Sequence, residues 1–366
     1  MPVEIFSPER LVLARQRRGL FAQELAAQLE VTPKTVGRWE RGEKEPTPEN
    51  VDGLARVLAF PREFFFGDAP PTLDAAAFRA LSKMTARQRS MALAAGQQAI
   101  SLDMLIAEQF KRPAPNIPDL RELTPENAAE ALRADWGLGY RPIPNFVHLL
   151  EKQGVRVYSL VHGGGEIDGF CTWQGETPFI FLNMTKTAER SRMDAAHEVS
   201  HLCLHAHAKA PLSKAEEDEA KVFASCFLMP AASFVASAPR RVNLPTIIEA
   251  KRRWGVSALA YVYRLNSLGL ITEWQYKSLN IQIRSGYGAT EPGSSLSREA
   301  SQVLAKVFTS GATGTSRKDV ARRLRIRLED LDQMTFGLAL TPVAGSIQPT
   351  ASSPPSFKRP GIQLME

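Results

Sequence analysis

The chain has 366 residues, 44% of them hydrophobic, and a formal net charge of +6. This length exceeds one typical domain and the hydrophobic content is that of a folded protein, which predicts two or three globular domains and excludes a wholly disordered chain. No stretch approaches the roughly eighteen consecutive apolar residues of a membrane span, and the start MPVEIFSPER lacks the pattern of a signal peptide. We therefore expect a cytoplasmic protein without membrane contact.

Residues 1–68 carry the pattern of an all-α DNA-binding domain. Short helices are predicted at residues 9–18, 23–29, 32–39 and 50–58, with no strand pattern between them. Only Glu30 and Val31 separate the second helix from the third, and Thr32 is suited to cap the third helix with Pro33 in its first turn. So short a turn predicts a helix-turn-helix.

The third helix is the predicted recognition helix. Its Val36 and Trp39 are expected to face the domain core, whereas other side chains fall where base edges or phosphates would be met. The predicted DNA contacts are Thr32, Lys34, Thr35 and Arg38. Residues 1–68 hold ten Lys and Arg against eleven Asp and Glu, so attraction to DNA depends on a local basic cluster. That cluster comprises Arg15, Arg17, Arg18, Lys34, Arg38 and Arg41. A plain helical bundle is the alternative.

The stretch LEVTPKTVGRWERGEKEPTPENVDGLARVLAFPREFFFG resembles the XRE (Cro/repressor-like) helix-turn-helix family, with its RWERG signature at residues 38–42. The resemblance implies a lambda-repressor-like domain that binds double-stranded operator DNA, and we expect it to do so as a homodimer. One departure stands out. The family usually carries Thr-Gln at the start of the second helix, where the glutamine helps to anchor DNA, and this chain has Phe21 and Ala22.

Residues 69–120 are predicted to form a helical linker. The segments GDAPPT, at 67–72, and RPAPNIPD, at 112–119, interrupt the helical periodicity. Between them lies a long helical stretch, 73–110, which is available for packing or dimerisation.

The motif HEVSH follows three short β-like runs, at residues 155–161, 167–173 and 178–183. This order predicts a small sheet beside the motif helix, 193–205, with an edge that could hold an extended peptide. The four-residue step puts His197 and His201 on one helix face, roughly 6 Å apart along the axis, with Glu198 directed beside them. The pattern is typical of a zinc hydrolase in which the glutamate is the general base. A structural helix that happens to carry two histidines is the alternative.

A third metal ligand is expected, because zinc hydrolases use three protein ligands and an open position. His205 lies about 12 Å along the axis from His197, too far to share an ion with it, and His207 is farther still. The next predicted helix, 213–229, places Glu219 on an apolar arc, where an unpaired carboxylate would be costly. Glu216 falls on the same arc one turn earlier. Spacing alone leaves both candidates open, and a buried salt bridge of Glu219 is the alternative to metal binding.

The stretch from DAAHEVSHLCLH through EDEAKVFASCFLMP resembles the ImmA/IrrE family of bacterial metallopeptidases. The resemblance implies a zincin-like fold, with His197, His201 and Glu219 as Zn²⁺ ligands and Glu198 as catalytic base, and so it selects Glu219 over Glu216. In two departures, Ser200 replaces a common glycine and Lys221 a common asparagine. We expect Lys221 to bring a positive charge near the site.

Residues 121–231 are the predicted peptidase core, and residues 232–343 are a predicted helical region. Segments 251–280 and 316–340 resemble those that follow the core in long family members with an XRE domain. Residues 344–366 are rich in Pro and Ser and are predicted to be disordered. The expected fold class is mainly α with a small β-sheet (α+β).

These features predict a DNA-binding transcriptional regulator with a zinc-dependent endopeptidase domain. Members of the resembled family cleave repressors, which implies a repressor or another regulatory protein as the substrate. The alternative is a DNA-binding regulator whose metallopeptidase-like domain only senses a metal or a ligand. An antitoxin-like or phage-defence role is a third interpretation.

Overall fold

A computed structural model describes residues 5–73, 84–160, 168–205, 212–287, 296–309 and 316–339. The N-terminal domain is all-α, as predicted, and ends in a short 3-10 helix, Arg62–Phe65. Its helices are α1 (Pro8–Arg17), α2 (Ala22–Gln28), α3 (Pro33–Glu40) and α4 (Pro48–Leu58). The predicted cap is present, since the Thr32 hydroxyl accepts a hydrogen bond from the Thr35 amide at 3.2 Å. Val36 and Trp39 are buried, which confirms the inward face of α3.

Helix α5 (Ala86–Ala107) joins the N-terminal domain to the rest of the molecule. It packs along α1, and the buried Arg17 guanidinium donates to Gln98 at 2.9 Å. On the sheet side, a Cβ added at Gly96 would lie 3.3 Å from the Phe170 ring and 3.6 Å from the Phe181 ring. The helix predicted as a linker is therefore an interior element that touches both domains.

The sheet has three strands, β1 (Arg156–Ser159), β2 (Gly169–Gln174) and β3 (Thr177–Leu182), in the order β1-β3-β2. β1 runs parallel to β3 and β2 antiparallel to it. The three predicted β-like runs are thus confirmed, and the fold is α+β. Stacked aromatic rings, among them Phe170 on Phe181 at 4.5 Å, fill the sheet core. β2 is an edge strand.

Around the sheet lie α6 (Pro125–Asp135), α7 (Phe146–Lys152), α8 (Ala188–Leu204), α9 (Lys214–Leu228) and α10 (Ala231–Ser237). α8 carries the HEVSH motif and packs against β2, β3 and α9. Two buried arginines satisfy carbonyls at the end of α9, since Arg133 donates to Phe227 and Arg264 donates to Met229. These bonds fix the end of α9 relative to its neighbours, because free carbonyls at a buried helix end need partners.

The C-terminal region is helical, as predicted. It comprises α11 (Leu244–Trp254), α12 (Ala258–Ser267), α13 (Glu273–Tyr287), α14 (Gln302–Thr309), α15 (Arg317–Arg323) and α16 (Leu328–Thr335). α16 returns to the N-terminal domain, where Arg18 makes two bonds to Asp330, at 2.6 and 2.8 Å, and Arg17 donates to Gln333 at 2.6 Å. The predicted disordered tail, 344–366, lies outside the described residues.

No single helix in the described ranges is long and apolar enough to cross a membrane. The helices Lys214–Leu228 and Ala231–Ser237 have the length and apolar composition of a membrane span only when they are counted together, and the pair is bent by 61°.

Candidate metal centre

The two histidines of the HEVSH motif turn their Nε2 atoms toward each other. These atoms of His197 and His201 lie 3.0 Å apart. Zinc–nitrogen bonds of about 2.0–2.1 Å at a tetrahedral angle place two nitrogen ligands about 3.3 Å apart. The pair therefore already stands near the separation that one shared ion requires.

The carboxylate beside these histidines belongs to Glu217. Its Oε2 lies 3.8 Å from His197 Nε2, and the ligand atoms of His197, His201 and Glu217 all lie within 4.8 Å of one another. α9 supplies this glutamate from the face that packs against α8. Two imidazoles and one carboxylate form a donor set that suits zinc and leaves a coordination position open.

The structure does not bring Glu219 or Glu216 to the histidines. The expectation that Glu219 faces the core is wrong, because its side chain is 49% exposed and its Oε2 lies 3.0 Å from His205 Nε2. Residues two apart on an α-helix point about 200° apart, so Glu217 and Glu219 flank the buried face of α9 on opposite sides. Glu216 accepts a bond from the Ser213 amide and caps α9.

His205 is buried directly beside the motif. Its Nδ1 lies 2.9 Å from His201 Nδ1, on the ring edge opposite the one that faces His197. His205 is thus adjacent to one of the paired histidines. His207, which the sequence analysis named with His205 as too far from His197 to share a metal ion with it, lies outside the described residues.

The electrostatics of the site suit a bound cation. Burial lowers the pKa of His197 and holds the pKa of His201 well below its usual value, so both rings are neutral, which is the ligating form. Burial also raises the pKa of the Glu198 carboxyl to about 8. Its Oε2 is buried and has no hydrogen-bond partner among the described residues. A carboxylate oxygen without a hydrogen-bond partner in the described residues, beside two imidazoles and a second carboxylate, fits a site that would hold a cation and its bound water.

A cleft of about 480 Å³ opens onto His197, Glu198, His201 and Glu217. Its remaining walls come from strand β2, from helices α5, α8, α9 and α12, and from the residues just before β2 and α5. The wall residues are Met84, Gln88, Asp168, Gly169, Met193, Asp194, Lys221, Ala224, Ala260 and Tyr263. A larger cavity, of about 700 Å³, lies between the N-terminal domain and α15 and includes none of the metal-centre residues.

Two lysines form ion pairs at the cleft, one with the lining residues Asp168 and Asp194 and one as a lining residue itself. Lys186 Nζ bonds to Asp168 at 2.5 Å and to Asp194 at 2.6 Å, and so ties the entry to β2 onto α8. Lys221 lines the cleft as the sequence led us to expect, but its Nζ bonds to Asp218 at 2.7 Å, so its charge is paired.

Gly169 lets the edge strand come close to Glu198. A Cβ added there would lie 2.8 Å from the Phe181 carbonyl oxygen and 3.7 Å from Glu198 Cγ. The first residue of β2 therefore lies so close to the Phe181 carbonyl that any side chain at this position would force the strand to shift. No strand pairs with the other edge of β2 within the described ranges.

The predicted DNA contacts lie on one accessible face of α3. Lys34 and Arg38 are exposed, while the Thr32 and Thr35 hydroxyls bond to each other at 2.9 Å. Three of the six residues in the wider basic cluster are bound by partners within the protein, so fewer basic groups face solvent than the sequence led us to expect. Arg15 pairs with Glu40 at 2.5 Å, Arg17 donates to Gln98 of α5, and Arg18 donates to Asp330 of α16.

Sequence reasoning missed Glu217 and the lysine that bridges two aspartates. A signal for Glu217 exists, because Glu217, Lys221 and Ala224 repeat at a helical spacing that shares one face. Nothing in the local sequence shows, however, which face of α9 meets α8.

Residues 11–65 match the family model of the helix-turn-helix, and residues 150–266 match that of the IrrE N-terminal-like domain. No curated protein matches the chain. The first matched region lies in the helical N-terminal domain, and the second contains β2, α8, α9 and most of α12, which line most of the cleft.

Proposed function

We propose, for a chain that joins an XRE-type helix-turn-helix domain to an ImmA/IrrE-type metallopeptidase-like domain, that it is a transcriptional regulator with a zinc-dependent endopeptidase activity. The observation that carries this proposal is the convergence of His197, His201 and Glu217 beside Glu198, whose buried Oε2 lacks a partner in the described chain. We assign the third ligand to Glu217 in place of Glu219.

Zinc, when bound, would acidify water and polarise a peptide carbonyl. His197, His201 and Glu217 would hold it. Glu198 would accept the proton from water and return it to the leaving amine. A pKa of about 8 lies close enough to neutrality for both transfers, and a nearby cation favours the ionised form that acts as a base.

The edge strand β2 supports a peptide substrate. Its free edge begins at Gly169, which lines the cleft with Asp168. An extended peptide that adds to this edge would form main-chain hydrogen bonds and pass beside Glu198. Extended segments of a regulatory protein, such as a repressor, are substrates of this shape.

The N-terminal domain supports binding to double-stranded operator DNA, and we propose that it acts as a homodimer with Lys34 and Arg38 at the DNA. The two functions share a structural element. In the first turn of α5, Gln88 lines the cleft while Arg87 donates to Glu24 of α2 at 2.6 Å and covers the Phe21 ring at 4.8 Å. This connection favours, as the second candidate, a regulator in which the occupied cleft alters DNA binding without proteolysis.

The deciding experiment compares cells that express the wild type, Glu198→Gln or His197→Ala, with new protein N-termini identified by mass spectrometry. Glu198→Gln is expected to keep its zinc and to lower cleavage by about 10²- to 10⁴-fold. His197→Ala is expected to lose both zinc and cleavage. If Glu198→Gln regulates its target genes normally, and the wild type generates no new N-termini, the sensor function replaces the peptidase.

A further inference from the structure

His205 and Glu219 form a hydrogen-bonded chain that starts at one of the paired histidines. The Nδ1 atoms of His201 and His205 lie 2.9 Å apart, and His205 Nε2 lies 3.0 Å from Glu219 Oε2. His205 is buried, whereas the Glu219 side chain is half exposed. Neither residue lines the cleft. This series of hydrogen bonds therefore runs from the metal centre to the protein surface without passing through the cleft.

The metal centre fixes the position of each proton in this chain. His201 directs Nε2 at His197 Nε2, so Nε2 is the atom that would bind zinc. A neutral histidine that ligates through Nε2 carries its proton on Nδ1 and donates from there. His205 must then accept at Nδ1, which leaves its own proton on Nε2. That proton is donated to the carboxylate of Glu219, which as an ionised group only accepts.

We propose that His205 and Glu219 are positioning residues, which fix the tautomer and ring orientation of His201 for zinc binding. The inference rests on the proposed metal centre. A partner at the second nitrogen holds the plane of a ligating imidazole and makes the ligating nitrogen more basic. The hydrogen bond from His205 to Glu219 holds the His205 tautomer that accepts from His201, so loss of either residue removes the same support from His201.

The test measures the zinc Kd of the full chain by competition with a chromogenic chelator. We expect His205→Leu and Glu219→Ala each to raise the Kd by about 10- to 100-fold. The double variant is expected to be no weaker than the weaker single variant, because the two residues act in series. Glu219→Gln keeps an amide oxygen that accepts from His205 and should recover most of the affinity. Glu176→Gln, which changes an exposed carboxylate in the turn between β2 and β3, is the control and should leave the Kd unchanged.

Imidazole ¹⁵N NMR of the zinc-loaded protein gives a readout that does not depend on activity. We expect the proton of His201 on Nδ1 and that of His205 on Nε2. The opposite tautomer at either ring would overturn the proposal. Circular dichroism of each variant in chelator checks its fold, and the half-exposed position of Glu219 makes Glu219→Gln the variant least prone to misfolding.

Three affinity results would also overturn it. The first is that His205→Leu and Glu219→Ala each have the same Kd as the control Glu176→Gln. The second is additive loss in the double variant. The third is a Glu219→Ala protein that loses zinc as fully as Glu217→Gln, since Glu219 would then be a ligand itself. A wild-type chain without zinc affinity would instead refute the metal centre of the proposed function.

Discussion

Replacement of Glu198 with glutamine is expected to stabilise the metal-free protein although it removes the proposed catalytic base. The Glu198 residue is 5% exposed and its Oε2 has no hydrogen-bond partner in the described part of the chain. Burial raises the pKa of its carboxyl from the ordinary 4.5 to about 8. The Cys171 thiol opposes this rise, whereas the charges of Asp194, Glu217 and Asp168 add to it.

The difference between the two pKa values sets the sign and size of the effect. Below pH 4.5 the carboxyl is protonated in both the folded and the unfolded chain, so the penalty is absent. Between pH 4.5 and 8 the unfolded chain releases the proton and the folded chain retains it. The free energy of unfolding then falls by about 1.4 kcal/mol for each pH unit. At pH 7 the wild type therefore loses about 3 kcal/mol of its free energy of unfolding. The Glu198→Gln variant does not, because glutamine carries no charge.

Urea unfolding in the presence of a chelator measures the difference between Glu198→Gln and the wild type. We expect the two free energies of unfolding to be nearly equal at pH 4.5 and the variant to be more stable by about 3 kcal/mol at pH 7. Glu176→Gln, which changes an exposed carboxylate in the turn between β2 and β3, is the control. A difference that does not change with pH, or a wild type that is more stable at pH 7, would refute the reasoning.

Three further changes test other parts of the structure. Gly169→Val places side-chain carbon against the Phe181 carbonyl, so it should lower the free energy of unfolding by about 1–3 kcal/mol. It should also lower peptide cleavage while zinc content is retained. Gly286→Ala is its control, because a Cβ there meets nothing within 4 Å. Asp330→Ala leaves the Arg18 guanidinium without its carboxylate and should lower the free energy of unfolding in urea by about 2–3 kcal/mol. The loss is smaller than for a fully buried ion pair because the Arg18 side chain is 23% exposed. An unchanged free energy of unfolding would argue against the packing of α16 on the N-terminal domain. Arg38→Ala should weaken operator binding and reduce its salt dependence by about one counterion in a fluorescence titration. Arg41→Ala should change binding less, because Arg41 bonds to Glu43 at 2.5 Å whereas Arg38 lies 3.8 Å from the same carboxylate.

The amino-acid sequence by itself determined the elements and the pairing of two histidines. Caps such as Thr32, the period of apolar positions and the short turn before α3 are local signals, and the structure has the corresponding helices. The facing Nε2 atoms of His197 and His201 also follow from a local rule, because residues four apart on one helix share a face. The α+β fold class required no more than this information.

Only the tertiary structure decided which carboxylate joins those histidines. Glu217 and Glu219 lie on the same helix, and helical periodicity gives their relative directions but not the rotation of α9 against α8. That rotation depends on the packing of the α9 core face and on the bonds from Arg133 and Arg264 at its end.

The basic residues of α1 show the same limit. Arg17 and Arg18 look available for DNA in the sequence, yet partners more than 80 positions away in the chain bind them, namely Gln98 and Asp330. The charge of a residue is local information, but the partner that neutralises it depends on which distant elements the fold brings together.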